Sequence, residues 1–149
     1  MPEYNHGSHT THDIKYHFVW LTKYRYKVLT AKIGRRLREL LMQGCTARDI
    51  IIIEGSIGKD HVHMLVSCPT RLSPSQIAQY LKGRSSRLLQ EEFPELRKRY
   101  WGQHLWARGY FCATVGSVTK ETVQEYINRQ FEQADAEHFK VEGDDEFQS

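Results

Sequence analysis

His61 and His63 stand two residues apart in the run Gly58-Lys59-Asp60-His61-Val62-His63-Met64-Leu65-Val66. On a strand, residues i and i+2 project from one face. The two imidazoles therefore point the same way and can bite one divalent ion. Imidazole titrates near pH 6.5, so it is largely neutral at pH 7 and ready to ligate. Val62, Met64, Val66 and Cys68 take the opposite face. That face is wholly apolar and must be the core side. The same spacing also describes two half-exposed strand histidines that hold nothing.

A histidine pair cannot hold a catalytic metal alone. Tyr126 and Gln130 are four residues apart, hence one turn apart on one helical face. They flank the apolar stripe Val123, Ile127, Phe131, which puts them at the edge of a buried interface. A Gln carbonyl oxygen is a hard donor suited to Mg²⁺ or Mn²⁺. A phenol is a competent nucleophile toward phosphorus. A tyrosine and a glutamine that merely pack and meet solvent would show the same spacing. Tyrosine's ordinary pKa is about 10, and no base that would deprotonate Tyr126 is readable in the sequence.

The elements that must position these residues follow from periodicity. Ile14, Tyr16, Phe18 and Trp20 alternate, predicting a strand over 13–21. Thr30 can cap a helix whose apolar positions are Ile33, Leu37, Leu40 and Leu41, with Gly44 as its stop. Residues 50–57 read as a buried strand, Gly58-Lys59-Asp60 as a turn, and 61–68 as the returning strand of a hairpin. Ser73-Pro74-Ser75-Gln76 is a helix start with a Ser cap, a Pro at the first position and a Gln at the third. The stripe Ile77, Leu81, Ser85, Leu88 follows, and Phe93-Pro94 ends it. Residues 95–104 read as a basic, aromatic loop and 105–115 as a strand. Thr119 opens a last helix through Val123, Ile127, Phe131 and Ala134. The order β-α-β-β-α-β-α is the split β-α-β pattern. It predicts an α+β fold: a ferredoxin-like (RRM-like) antiparallel sheet with helices on one face, plus a C-terminal helix carrying the tyrosine.

Length and composition bound the rest. The chain has 149 residues, 40% hydrophobic and 26% charged, which is ordinary globular usage and excludes collagen-like and low-complexity classes. No apolar run approaches the roughly 18 residues of a membrane span, and no signal segment is expected at the N-terminus. Three cysteines, Cys45, Cys68 and Cys112, form no C-x-x-C and no even framework, which points to a reducing cytoplasm. The net charge of +3 hides an asymmetry: residues 135–149 carry −5 and residues 1–134 carry +8. Such a body suits a polyanionic partner, although a soluble surface could look the same. The expected domains are a mobile arm over 1–12, one catalytic domain over 13–134, and a poorly ordered acidic tail over 135–149.

Five segments occur in one order: the His61–His63 run, Tyr80-Leu81-Lys82-Gly83-Arg84-Ser85-Ser86, Leu105-Trp106-Ala107-Arg108-Gly109-Tyr110, Thr114-Val115-Gly116, and Val123-Gln124-Glu125-Tyr126-Ile127-Asn128-Arg129-Gln130. Over residues 13–133 the chain resembles the single-tyrosine HUH transposases of the insertion sequence 200/605 group. The resemblance implies that His61 and His63 are metal ligands, Gln130 the third protein ligand and Tyr126 the nucleophile. It implies Mg²⁺ or Mn²⁺ as cofactor. The implied activity is cleavage and rejoining of single-stranded DNA at element ends through a 5′-phosphotyrosine. Imperfect hairpins near those ends are the implied substrate. The implied assembly is a homodimer in which the histidine pair of one subunit faces the tyrosine of the other.

DNA contacts are read from charge and aromatics. On the second long helix Gln76, Tyr80, Arg84 and Arg87 fall in one row, and Lys82 of the same helix is a further candidate; Arg97, Lys98 and Arg99 precede Tyr100-Trp101. Cations pair with phosphates and aromatics stack on bases, though a solvated charged edge looks alike. Lys23-Tyr24-Arg25-Tyr26-Lys27 has the same character, and Trp101 and Trp106 fit a core as well as a base platform. Two other readings remain: a non-catalytic single-stranded nucleic-acid-binding module of ferredoxin-like fold, and an HUH nuclease of replication initiation or plasmid transfer, whose members usually need longer chains.

Overall fold

The computed structural model describes residues 5, 6, 11, 12, 14–114 and 139–143. Its elements are β1 (Asn5–His6), β2 (Thr11–His12), β3 (Lys15–Leu21), α1 (Ala31–Ala47), β4 (Ile51–Ile57), β5 (His61–Ser67), α2 (Pro74–Glu92), α3 (Pro94–Arg99), β6 (Phe111–Thr114) and β7 (Phe139–Val141). Strands β1 and β2 pair with each other, inside the arm expected to be mobile. The main sheet has the order β6-β3-β5-β4-β7. Its first four strands are antiparallel, and β7 lies parallel to β4. This is the expected ferredoxin-like sheet with one added edge strand. The expected last helix, from Thr119, lies outside the described residues.

The core forms between one sheet face and the two long helices. Phe18, Trp20, Ile57, Val62, Met64 and Val66 meet Ile33, Leu37, Leu40 and Leu41 of α1 and Ile77, Leu81 and Leu89 of α2, all buried. The α2 stripe thus ends through Leu89, with Leu88 only half-buried. Helix α2 starts on the expected capping box: Gln76 N–H donates to Ser73 Oγ at 3.2 Å, and Ser73 N–H to Gln76 Oε1 at 2.9 Å. No described helix is long and apolar enough to cross a membrane.

Four expectations change. Helix α1 runs past Gly44 to Ala47, because Gly44 is buried where Leu81 and Arg84 of α2 press against it. The stretch 95–104 is not all loop, since Pro94 is well suited to a first helical position and restarts the chain as α3. The strand expected over 105–115 contracts to Phe111–Thr114. Upstream of it, the chain is hooked to the end of β3 instead: Lys23 N–H donates to Leu105 O and Ala107 N–H to Leu21 O, both at 2.8 Å. Last, part of the tail expected to be poorly ordered forms β7. Phe139 lies over Gly55 and Val141 against Gly34, so two missing side chains make its seat.

Candidate active site

Strand β5 sits between β3 and β4, and all seven of its residues are buried. Its register sets His63 opposite Val19 and Ser56, and His61 opposite Leu21. Both histidines share the sheet face away from the helices, as the alternation requires, but they are not half-exposed. His61 is 5% and His63 6% accessible. A third histidine, His17 of β3, joins them diagonally. Its Nδ1 lies 3.1 Å from His63 Nε2, and the two rings are stacked within 5° of parallel. Burial, then the neighbouring His17 and His61, push the His63 pKa down to about 3. His63 is therefore a neutral nitrogen donor throughout the physiological range.

His61 is held differently. Its Nδ1 lies 2.9 Å from Asp60 Oδ1. An ionised carboxylate only accepts, so Nδ1 carries a proton, and in the neutral tautomer this selects, Nε2 holds the lone pair. Arg25 donates from Nε (3.2 Å) and Nη2 (3.0 Å) to the other oxygen, Asp60 Oδ2. Burial pushes the Asp60 carboxyl up, but the bonds from His61 and Arg25 outweigh it and hold it below its ordinary value. The backbone is arranged around this chain of contacts. Tyr24 and Arg25 both adopt left-handed φ, 62° and 54°, which L residues with side chains seldom do. Thr22 N–H donates to Asp60 O at 2.9 Å. The His61 ring occupies the space that a Cβ on residue 58 would need, so Gly58 is required there.

The donor set suits a divalent metal but is incomplete. His61 and His63 offer neutral nitrogens, yet among the described residues no three His, Cys, Asp or Glu side chains converge to hold an ion. Tyr126 and Gln130 lie outside the described residues. His17 was not singled out in the sequence, and Asp60, Arg25 and Gly58 were read only as parts of a turn or of a basic, aromatic run. Only the alternation of β3, which sets His17 opposite Tyr16, Phe18 and Trp20, carried any signal.

The expected DNA contacts separate. Tyr80 Oη donates to Gly44 O (3.1 Å) and Arg84 Nη1 to Leu40 O (2.7 Å), so the Tyr80 hydroxyl and one Arg84 nitrogen are engaged on α1. Lys82 Nζ donates to Ala107 O (2.9 Å) and Gly109 O (2.7 Å). Arg87, Arg97, Lys98 and Arg99 are exposed, with Arg99 over the Tyr26 ring at 3.8 Å. The tryptophans also part. Trp106 is core, its Nε1 donating to Ser85 Oγ at 3.0 Å, whereas Trp101 is 87% exposed.

The sheet order, with the buried histidines on one face, defines an α+β protein of ferredoxin-like fold. The chain belongs to the IS200-like transposase family, whose model, "Transposase IS200 like", matches residues 10–130. It is 36% identical to the transposase for insertion sequence element IS200 of Salmonella typhimurium over 126 residues, 85% of this chain and 82% of that one. It is 30% identical to the ISDra2 transposase TnpA of Deinococcus radiodurans over 128 residues, 86% of this chain and 91% of that one. A crystal structure from Deinococcus radiodurans R1, itself assigned as a transposase, superposes with a TM-score of 0.72 at 29% identity, covering 85% of this chain and 97% of that chain. A REP-associated tyrosine transposase bound to a REP hairpin shares the fold, with a TM-score of 0.54 at 18% identity, covering 87% of this chain and 73% of that chain.

Proposed function

We propose that this transposase cuts and rejoins single-stranded DNA at insertion-sequence ends through a covalent tyrosine intermediate. The observation that carries the reading is the buried pair His61 and His63, side by side on β5, inside a family match that also spans Tyr126 and Gln130. His61 and His63, with Gln130 as third ligand, would hold Mg²⁺ or Mn²⁺. When bound, the ion polarises a non-bridging oxygen of the scissile phosphate. Asp60 keeps the proton on His61 Nδ1 and leaves Nε2 as donor, while His63 stays neutral beside His17. Tyr126 attacks the phosphorus in line. The tyrosyl O–P bond forms as the phenolic proton passes to water, the P–O3′ bond breaks, and the 3′ oxygen takes a proton from water and leaves as a hydroxyl. A phenolate leaves more readily than an alkoxide, so the 3′-hydroxyl of another strand can displace it and reseal DNA without ATP.

The substrate would be an imperfect hairpin with single-stranded flanks; a protein of the same fold is seen on a REP hairpin. The working unit would be a homodimer, with the histidine pair of one subunit facing Tyr126 of the other. Incubation with end-hairpin single-stranded DNA and Mg²⁺ or Mn²⁺ tests the reading. A protein–DNA adduct that survives SDS should form and vanish in Tyr126→Phe. An adduct that persists in the Phe variant overturns the nucleophile. DNA binding with no adduct on any substrate and no response to EDTA would make the chain a binding module. Mixing His63→Ala with Tyr126→Phe should restore the adduct only if the two halves of the site come from different subunits.

A further inference from the structure

Strand β7 lies beyond residues 10–130, the span that matches the family model. Its seat is nonetheless built into that span. Glycine weakens a helix, yet Gly34 stands near the start of α1, where a Cβ would run into Val141. A Cβ on Gly55 of β4 would run into the Phe139 ring. Val141 is buried, and Phe139 packs against the core. Hydrogen bonds hold both ends of the strand. Arg38 Nη1 donates to Phe139 O at 3.3 Å, and Glu142 N–H donates to Ile57 O at 2.6 Å. The parallel register sets Val141 level with Ile57. Glu142 therefore arrives at the turn that leads into His61.

That turn, Gly58-Lys59-Asp60, is held by separate segments of the chain. Leu29 N–H donates to Lys59 O at 3.0 Å, and Thr22 N–H to Asp60 O at 2.9 Å. Gly58 N–H closes onto His61 O at 3.0 Å. Lys59 N–H donates to Glu142 Oε2 at 3.0 Å, in a solvent-exposed contact. Water could satisfy that amide, but it would not fix the amide's direction. A carboxylate on a docked strand does both. Direction matters because the next residue is Asp60, whose Oδ1 meets His61 Nδ1 at 2.9 Å. Hydrogen bonds weaken steeply once their angle opens. A turned Lys59–Asp60 peptide would carry the carboxylate off that line.

We infer that β7 is a clasp on the active-site turn and that Glu142 is a positioning residue: by holding the Lys59 amide it keeps Asp60 aimed at His61. The inference rests on the metal role proposed above for His61, and it ties the acidic tail to the site.

Amide exchange, histidine NMR and Mn²⁺ electron paramagnetic resonance on the full chain test it. In EDTA, Glu142→Ala should speed exchange at the Lys59 amide about tenfold and broaden the His61 Nδ1–H signal. It should weaken Mn²⁺ binding about three- to tenfold, less than a buried charged hydrogen bond would, because the contact is exposed. Glu142→Gln loses the charge but keeps an acceptor oxygen, so it should stay close to wild type in all three. Gly34→Ala favours the helix itself but unseats Val141, and it should reproduce the losses of Glu142→Ala. Adding Glu142→Ala to it should then cost little more. Wild-type Lys59 exchange in Glu142→Ala, or a Gln variant as impaired as the Ala variant, overturns the clasp. Faster Lys59 exchange with an unchanged His61 signal overturns the positioning role. If wild type binds no Mn²⁺, the metal reading fails, while Lys59 exchange and the His61 signal still decide the clasp. If Mn²⁺ binds and Glu142→Ala moves none of the three readouts, only the clasp fails.

Discussion

Asp60→Asn is the change that separates an aimed histidine from a merely buried one. The carboxylate serves two partners with different oxygens: Oδ1 takes His61 Nδ1 at 2.9 Å and Oδ2 takes Arg25 at 3.0 Å. An amide of the same shape has one acceptor oxygen and one NH₂. Asn can therefore keep His61 or Arg25, and in either case its NH₂ faces a donor. Losing a hydrogen bond to a charged group costs about 1.5–3 kcal/mol. At about 1.4 kcal/mol per decade, the affinity of His61 for a divalent ion should fall about 10- to 100-fold, the range seen for outer-shell partners of metal-bound histidine. Arg25→Gln should do less. Its side chain is 50% exposed against 14% for Asp60, so screening holds the loss to about 1 kcal/mol or below. Mn²⁺ titration followed by electron paramagnetic resonance, alongside thermal melting, reads both variants. An Asp60→Asn affinity within about twofold of wild type, inside the ordinary scatter of single changes, would refute the reasoning. So would an Arg25→Gln loss as large as that of Asp60→Asn.

Two further outcomes follow from buried groups. Ser85 Oγ accepts from Trp106 Nε1 at 3.0 Å and donates to Leu81 O at 2.6 Å, in a residue only 1% exposed. Ser85→Ala strands the indole N–H and should cost about 1–3 kcal/mol, lowering the melting temperature by roughly 2–4 °C per kcal/mol; an unchanged melt would show that the hydrogen bond contributes nothing. Burial pushes the thiols of Cys45 and Cys68 up to about 12 and Cys112 up to about 11. Since the thiolate is the reactive form and grows only as pH rises toward the pKa, Cys45 and Cys68 at pH 8 should label about a thousandfold more slowly than unfolded thiols. Ellman's reagent with and without guanidinium reads this, and native labelling of either thiol at the unfolded rate would contradict it.

Much of the frame was legible because its signals are local. The Ser73–Gln76 box, the Thr30 cap and the alternation of Val62, Met64 and Val66 each need only a few neighbouring residues to be read. What escaped depended on pairing. His17 and His63 are 46 positions apart and meet only through the β3–β5 register. Arg25 reaches Asp60 only because two successive residues take left-handed φ, and nothing in Tyr24-Arg25 announces that. Gly44 looked like a stop because glycine commonly follows a helix; here a neighbouring helix needed the space. The tail looked unstructured from its charge, yet Phe139 and Val141 find seats on Gly55 and Gly34 that no local pattern reveals. Tyr80 and Arg84 read as a basic edge, and only the α1–α2 contact shows the Tyr80 hydroxyl and Arg84 Nη1 bonded to α1.

The histidine face explains why a sheet would carry polar residues where water is scarce. His17, Ser56, His61, His63 and Ser67 are all buried, beside Val19 and Leu65. In water, imidazole would share its charge state with the solvent near pH 6.5. Out of water, the protonated form is disfavoured, and His63 is driven to the neutral form that a metal needs. Neutral ligands leave a bound cation's charge largely uncancelled, which is the property that activating a phosphodiester requires. The carboxylate that contacts His61, Asp60, is kept a residue back, turned to His61 Nδ1 and paired with Arg25. The arrangement thus orients one histidine with a carboxylate while keeping that negative charge off the nitrogen that would face the proposed metal. Moving the charge forward should undo it. Ser56 lies opposite His63 on β4, so a carboxylate placed there would tighten metal binding while weakening its hold on phosphate.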